Sequence, residues 1–173
     1  MLESDKFHWV GSIETFGGHV VNVLDIKPEM IHFDDIIQSL SLICRYNGHV
    51  PHFYSVGEHS VRVAGWLMGN DASPKMCLTG LLHDAAEAYV GDMVRPLKRT
   101  QEIGGAHQQL EERVTEVIMQ KFGGLYPYPD IVHEADEKIY RWEVANIRTG
   151  DKKGWTPEET RDKFMSTYNY LAK

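Results

Sequence analysis

Beyond residue 33 the chain repeats its apolar residues at the pitch of an α-helix. This period restricts the fold more than any other feature. Phe33, Ile36, Ile37, Leu40 and Ile43 recur at three- and four-residue spacing, so they share one helical face. Asp34 or Asp35 is expected to cap that helix, and Gly48 and Pro51 end it. A second helix is expected over 55–68, turning Val56, His59, Val63, Trp66 and Leu67 inward, with Gly69-Asn70-Asp71 closing it. Ser73-Pro74 reads as a cap followed by proline at the first helical position, opening a third helix that runs to about Val90 and stops at Gly91. Further helices are expected over 101–122, with Gly123-Gly124 behind it, and over 130–148. Thr156-Pro-Glu-Glu opens a last one with a capping box. Ahead of all these, residues 14–25 read as a short hairpin whose turn draws on the positive φ open to Gly17-Gly18. The expectation is an all-α bundle with a small N-terminal β-hairpin, formed by one domain over residues 1–173.

Charge and cysteine usage narrow the function classes. A chain of 173 residues buries roughly 70% of its unfolded surface and needs no disulfide staples. Lys and Arg number 18 against 25 Asp and Glu, a net charge of -7. Gripping a nucleic-acid polymer calls for clustered cations, which disfavours that partner; a small anion in a locally positive pocket is compatible with the same balance. Cys44 and Cys77 form no CxxC, so a reducing cytosol is expected. The opening MLESDKFHWV lacks an apolar h-region, and no apolar run reaches about 18 residues, so neither a signal peptide nor a membrane span is expected. Nine histidines point to metal or acid–base chemistry.

The most informative string is Leu81-Leu82-His83-Asp84-Ala85-Ala86-Glu87. An imidazole and a carboxylate at the end of an apolar helical stretch are costly to bury unless something satisfies them. A divalent metal would do so, and nitrogen with oxygen ligands suits Mn, Fe, Co, Ni or Zn. Adjacent helical residues diverge by about 100°, so both reach one ion only at the helix edge, with other elements completing its shell. A satisfied pair or a solvated face is the competing reading of the dipeptide by itself. Partners exist: His59 faces inward on the second helix, and Asp136 is in phase with Val132, Ile139 and Tyr140 on a later one.

His … His-Asp … Asp on three helices resembles the ligand pattern of the HD phosphohydrolase superfamily. Tyr54-Ser-Val-Gly-Glu-His-Ser60, Leu82-His-Asp-Ala-Ala-Glu87 and Gly91-Asp-Met-Val-Arg-Pro-Leu-Lys98 resemble, in order and spacing, the bacterial and phage HD hydrolases related to 5′-deoxynucleotidases and dATP triphosphohydrolases. Ser41-Leu-Ile-Cys-Arg-Tyr46 is similar to the arginine–aromatic segment ahead of the first His in that group, which often carries tryptophan where Tyr46 stands. The resemblance covers roughly residues 14 to 145.

The resemblance implies that His59, His83, Asp84 and Asp136 ligate one divalent ion (Mn, Co, Fe, Ni, Zn or Mg), with a second ion an option that His133 would serve. It implies that Glu87 positions or deprotonates the attacking water and that Asp92 handles water or substrate, although Asp92 also reads as an N-cap for the segment starting at Met93. Arg45 and Lys98 are the anion-binding candidates, Arg95 a weaker one, and Tyr46 a candidate to stack on base or sugar. His49 and His52 stand near the expected pocket mouth. His8, His19, His32, His107 and His133 read as surface or hydrogen-bonded, and Trp9, Trp66, Trp142 and Trp155 as core or interface. The implied activity is hydrolysis of a (deoxy)nucleotide phosphate ester, by a 5′-nucleotidase or a deoxynucleoside triphosphohydrolase, in a cytoplasmic homo-oligomer. Two other readings are a non-catalytic nucleotide-binding protein and an HD-type cyclic-nucleotide phosphodiesterase. The filled ligand set argues against the first, and the second would need further histidine ligands in ordered pairs.

Overall fold

The computed structural model describes residues 10–173; His8 and Trp9 lie outside the described residues. Strands β1 (Ser12–Glu14) and β2 (Val20–Asn22) pair antiparallel, with Ser12 opposite Asn22 and Glu14 opposite Val20. The expected hairpin is therefore shifted toward the N-terminus, and Val23–Asp25 form a 3-10 turn rather than strand. Gly18 alone of the glycine pair takes a positive φ, 77°; the turn is closed by the Gly18 N–H donating to the Thr15 carbonyl.

Helix α1 (Phe33–Leu42) buries Ile36, Ile37 and Leu40, as its period requires. Its cap departs from expectation. His32 occupies the N-cap without a side-chain bond, and neither Asp34 nor Asp35 caps the helix. Asp35 is buried instead and accepts from the Thr15 hydroxyl at 2.7 Å and the Gly17 N–H at 2.6 Å, with His19 Nδ1 at 2.9 Å. The carboxylate thus latches the hairpin turn to α1, and the His19 ring stacks on His32 at 3.6 Å.

Helix α2 (Val56–Gly69) starts at Ser55, whose hydroxyl accepts from the Glu58 N–H, and it runs through the centre of the bundle. It packs on α1, on α3 (Pro74–Leu82), on α7 (Asp130–Asn146) and on α8 (Pro157–Leu171), the last opened by the expected capping box at Thr156 and Glu159. The long α6 (Gly104–Phe122) begins three residues later than its pattern indicates and ends on Gly123, φ 80°. Trp142 and Trp155 both stack on the Arg62 guanidinium, at 4.4 and 4.7 Å, and Trp66 packs half-buried against the core. No helix among the described residues is long and apolar enough to cross a membrane.

The expected third helix does not run unbroken to Val90. It ends at Leu82, residues 83–86 form turns, and α4 (Glu87–Val90) follows. Amide donors through this stretch reach back three residues: Ala85 to Leu82, Glu87 to Asp84 and Ala88 to Ala85. Such tightening is 3-10 geometry, which nothing in an unbroken apolar pattern announces. Gly91, φ 81°, then closes α4 and turns the chain into α5 (Arg95–Lys98).

At Gly80, α3 leaves no room for a Cβ against α2. A Cβ there would fall well inside contact distance of Leu67 Cδ1 and 3.3 Å from Val63 Cγ1, both buried. Ala is the better helix former by about 1 kcal/mol, but overpacking typically costs 1–3 kcal/mol. Gly80→Ala should therefore lose about 1 kcal/mol, seen as a lower urea midpoint; an equal or higher midpoint would mean that the two helices part without strain.

Candidate functional site

The backbone gathers the candidate residues at one end of the bundle. His59 comes from the first turn of α2, His83 and Asp84 from the tightened turn after α3, and Asp136 from the second turn of α7. One ligand atom each from His59, His83 and Asp84 lies within 4.8 Å of the others, so this group could hold a metal ion. Asp136 Oδ1 is 3.1 Å from His59 Nε2.

Hydrogen bonding fixes which ring nitrogens face inward. A carbonyl can only accept, so His83 Nδ1 donates to the Gly80 carbonyl at 2.8 Å. His59 Nδ1 donates to Glu143 Oε1 at 2.6 Å. Each neutral imidazole is left with an Nε2 lone pair, and these two nitrogens face each other at 3.3 Å. Asp84 Oδ1 lies 3.3 Å from one and Asp84 Oδ2 3.6 Å from the other. A knot of lone pairs repels itself unless a cation shares it. Two nitrogens bound at about 2.1 Å to one ion lie about 3.0–3.4 Å apart, so the donor set and its spacing fit a divalent metal. Without one, a proton is the substitute. Burial and Arg45 oppose charging His59, but Glu143 and Asp136 outweigh them, and its pKa is pushed up to about 9.

Glu143, which the sequence reading missed, organises the floor. Its side chain has no exposure, and besides His59 it accepts from the Tyr54 hydroxyl at 2.9 Å and the Tyr46 hydroxyl at 2.5 Å. Arg45 Nε is 3.3 Å away but off the hydrogen-bond line. Burial raises its pKa, yet His59 and Arg45 outweigh that and hold the carboxyl well below the usual carboxylate range. A buried carboxylate that accepts from one ring nitrogen sets the tautomer of an imidazole and aims its other nitrogen. One signal pointed to it: Glu143 stands seven residues, two helical turns, beyond Asp136 on α7.

Above this floor opens a cavity of about 520 Å³. Its lining includes Arg45, Tyr46, Asp84, Glu87, Asp92, Lys98 and Asp136, so seven of the nine candidates meet in one space, with His59 and His83 beneath. Glu87 Oε1 is 3.3 Å from Lys98 Nζ, while Oε2 is buried with no hydrogen-bond partner among the described residues. Burial first, then Asp84 and Asp92, push the Glu87 carboxyl well above its ordinary pKa. Burial also raises Asp92, which is not an N-cap: Val94 holds that place before α5.

The cations are less free than their sequence implies. Arg45 is buried, with Nη1 3.3 Å from Asp84 Oδ2. Lys98 Nζ is 2.7 Å from Glu111 Oε1. Arg95 reaches Asp136 Oδ2 at 2.7 Å and Glu137 at 3.2 Å. Of the two loop histidines, His49 lines the cavity and His52 does not. His133 is exposed beside Tyr128, and His107 lies between the Val90 carbonyl and Glu111; neither joins the three-residue metal group. Glu58 is tied up by Arg62 and the Trp155 N–H. Tyr140, Arg95 and Arg148 complete the wall.

Replacing Glu143 by Ala strands buried Arg45 and the two tyrosine hydroxyls. Breaking a buried ion pair from one side costs about 3–5 kcal/mol, so Glu143→Ala should lower the unfolding free energy in urea at pH 7 by that amount. Because the folded pKa is depressed, its contribution is present above the ordinary carboxylate range and fades as pH falls through it. The gap between parent and variant should narrow in acid. A loss under about 1 kcal/mol would show that water replaces the carboxylate.

No known family model matches the chain. It is 38% identical over 111 residues to the uncharacterized protein YfdR of Escherichia coli strain K12, a match covering 64% of this chain and 58% of YfdR, less than two thirds of that protein's length. It is 35% identical over 140 residues to the uncharacterized protein RCAP_rcc00048 of Rhodobacter capsulatus, covering 75% of this chain and 69% of that protein. At that identity and coverage, the chain belongs to the same protein family as RCAP_rcc00048 of Rhodobacter capsulatus.

Proposed function

We propose that this protein is a divalent-metal-dependent phosphohydrolase with an HD-type helical domain, hydrolysing the phosphate ester of a (deoxy)nucleotide as a 5′-nucleotidase or a deoxynucleoside triphosphohydrolase. The observation that carries the reading is the pair of His59 and His83 Nε2 lone pairs, 3.3 Å apart, at the base of a cavity that also holds Asp84, Asp136 and Glu87. His59, His83, Asp84 and Asp136 would hold one ion. Bound there, it would polarise a phosphoryl oxygen and lower the pKa of a water.

The chain's own groups supply the rest. Arg45 and Lys98 bring positive charge to the phosphoryl oxygens once substrate draws them from their carboxylates. Water adds to phosphorus, its proton passes to the open Glu87 Oε2, the bond from phosphorus to the leaving oxygen breaks, and that oxygen takes up a proton held at Asp92 or Glu87. Burial raises the Glu87 pKa, which makes its carboxylate a stronger base than an exposed one. Asp92, raised by burial, stands by as a further proton site. Tyr46 and Tyr140, with ring centroids 6.5 Å apart, line the wall where a base or sugar would lie, each with an arginine guanidinium over its ring. The free thiols of Cys44 and Cys77 suit a reducing cytoplasm, and a homo-oligomer is the expected assembly.

Purified protein should carry about one equivalent of divalent metal. A panel of nucleoside mono-, di- and triphosphates with Mn, Co, Mg and Zn, resolved by chromatography, should show phosphate, pyrophosphate or tripolyphosphate released. Activity that survives exhaustive removal of metal would defeat the reading.

Glu87→Gln keeps shape and hydrogen-bonding reach but cannot accept the proton. It should retain metal and substrate binding while kcat falls at least about a hundredfold. Loss of the metal would make Glu87 a ligand or the support of one; near-parent kcat would shift the proton's destination to Asp92.

A further inference from the structure

Four Arg and Lys side chains line the cavity: Arg45, Arg95, Lys98 and Arg148. The first three each stand within 3.3 Å of a carboxylate oxygen. Arg148 forms no ion pair among the described residues. Its guanidinium lies over the Tyr46 ring instead, 5.4 Å from the centroid, and the Arg45 guanidinium lies 5.6 Å from the same centroid. One aromatic ring therefore links the cation beside Asp84 to a cation with no countercharge.

That ring is held firmly. The Tyr46 hydroxyl is anchored on Glu143, and its backbone sits in the left-handed region at φ 59°, followed by Asn47 at φ 51°. The Arg148 N–H donates to the Glu143 carbonyl at 3.0 Å. The buried residue that aims His59 thus also fixes the main chain of Arg148 and the ring beneath it. In a cavity whose other cations are largely neutralised, an incoming anion gains most at the one that is not. A guanidinium presents the fork that matches phosphate oxygens, and the cavity is of a size that holds a drug-sized ligand.

We propose that Arg148 is a second anion subsite of this cavity, taking a phosphate group beyond the one seated over His59, His83 and Asp84. The ligand class is a nucleoside carrying a condensed phosphate chain, a diphosphate or triphosphate. The inference rests on the phosphohydrolase reading and narrows it. Water adds to the α-phosphorus and gives its proton to Glu87. The bond from that phosphorus to the nucleoside 5′ oxygen breaks, and that oxygen takes up a proton. The phosphate chain departs intact with its outer charge on Arg148. A monophosphate would leave Arg148 without a partner.

The test compares the parent with Arg148→Ala and Arg148→Lys, each loaded with Mn²⁺. Arg148 is exposed, so its removal leaves the core in place, which circular dichroism checks. Two quantities are read: the ratio of kcat/KM for deoxynucleoside triphosphate over the matching monophosphate, and calorimetric binding of inorganic tripolyphosphate and orthophosphate. Arg148→Ala should lower the ratio at least about tenfold and weaken tripolyphosphate more than orthophosphate, with Arg148→Lys recovering part of both. An unchanged ratio with hydrolysis intact would overturn the subsite and leave the hydrolase standing. If the parent hydrolyses no nucleotide yet Arg148→Ala weakens tripolyphosphate selectively, the hydrolase reading fails and the subsite survives. Unchanged tripolyphosphate binding overturns the subsite outright.

Discussion

The carboxylate of Glu143 is the constraint on which the rest of the site depends. It has no exposure, and it is ionised because three donors and a guanidinium surround it: His59, Tyr54, Tyr46 and Arg45. An isolated buried carboxylate would be untenable. Here the donors share its charge, and in return each is held in one orientation. His59 Nδ1 is committed outward, which leaves Nε2 to face His83. Arg45 is drawn down so that its Nη1 reaches Asp84. The Tyr46 ring is pinned at the cavity wall with a cation on it.

A second economy appears in the turn after α3. Adjacent residues on a regular helix point about 100° apart, which sets His83 and Asp84 on different faces. At the end of α3 both nevertheless reach one centre, His83 Nε2 and Asp84 Oδ1 lying 3.3 Å apart. The turns at 83–86 lead into a new short helix at Glu87, directing its carboxylate into the cavity rather than along the surface of a longer rod.

Much of this was legible in sequence, and the rest was not for definite reasons. Helix starts were readable at Ser55, Ser73 and Thr156 because capping is a local bargain between a side chain and an amide three residues on. The end of α6 was readable at Gly123 for a similar reason. The break after Leu82 was not, since Leu81, Leu82, Ala85 and Ala86 continue an apolar pattern with no glycine or proline to interrupt it. Asp35 was misread as a cap because its true partners, Thr15 and Gly17, lie 20 and 18 residues upstream. Glu143 was overlooked because its partners lie 84 to 98 residues away. His59, His83, Asp84 and Asp136 were singled out by resemblance to a family pattern, and the fold brings the first three to one centre with Asp136 beside His59. Which cations were neutralised, and by what, could be known only once the elements were placed.

The span of the Glu143 contacts bears on how the protein is made. Chains leave the ribosome N-terminus first, so His59, His83 and Asp84 emerge well before Asp136 and Glu143. Until α7 docks, the chain lacks both the Glu143 carboxylate that sets the His59 tautomer and the Asp136 carboxylate beside it. Contacts of such long sequence separation form late, after the loop-closure cost has been met. Any ion preference of the His59, His83 and Asp84 group would therefore be set only after α7 has docked, and α8 emerges later still.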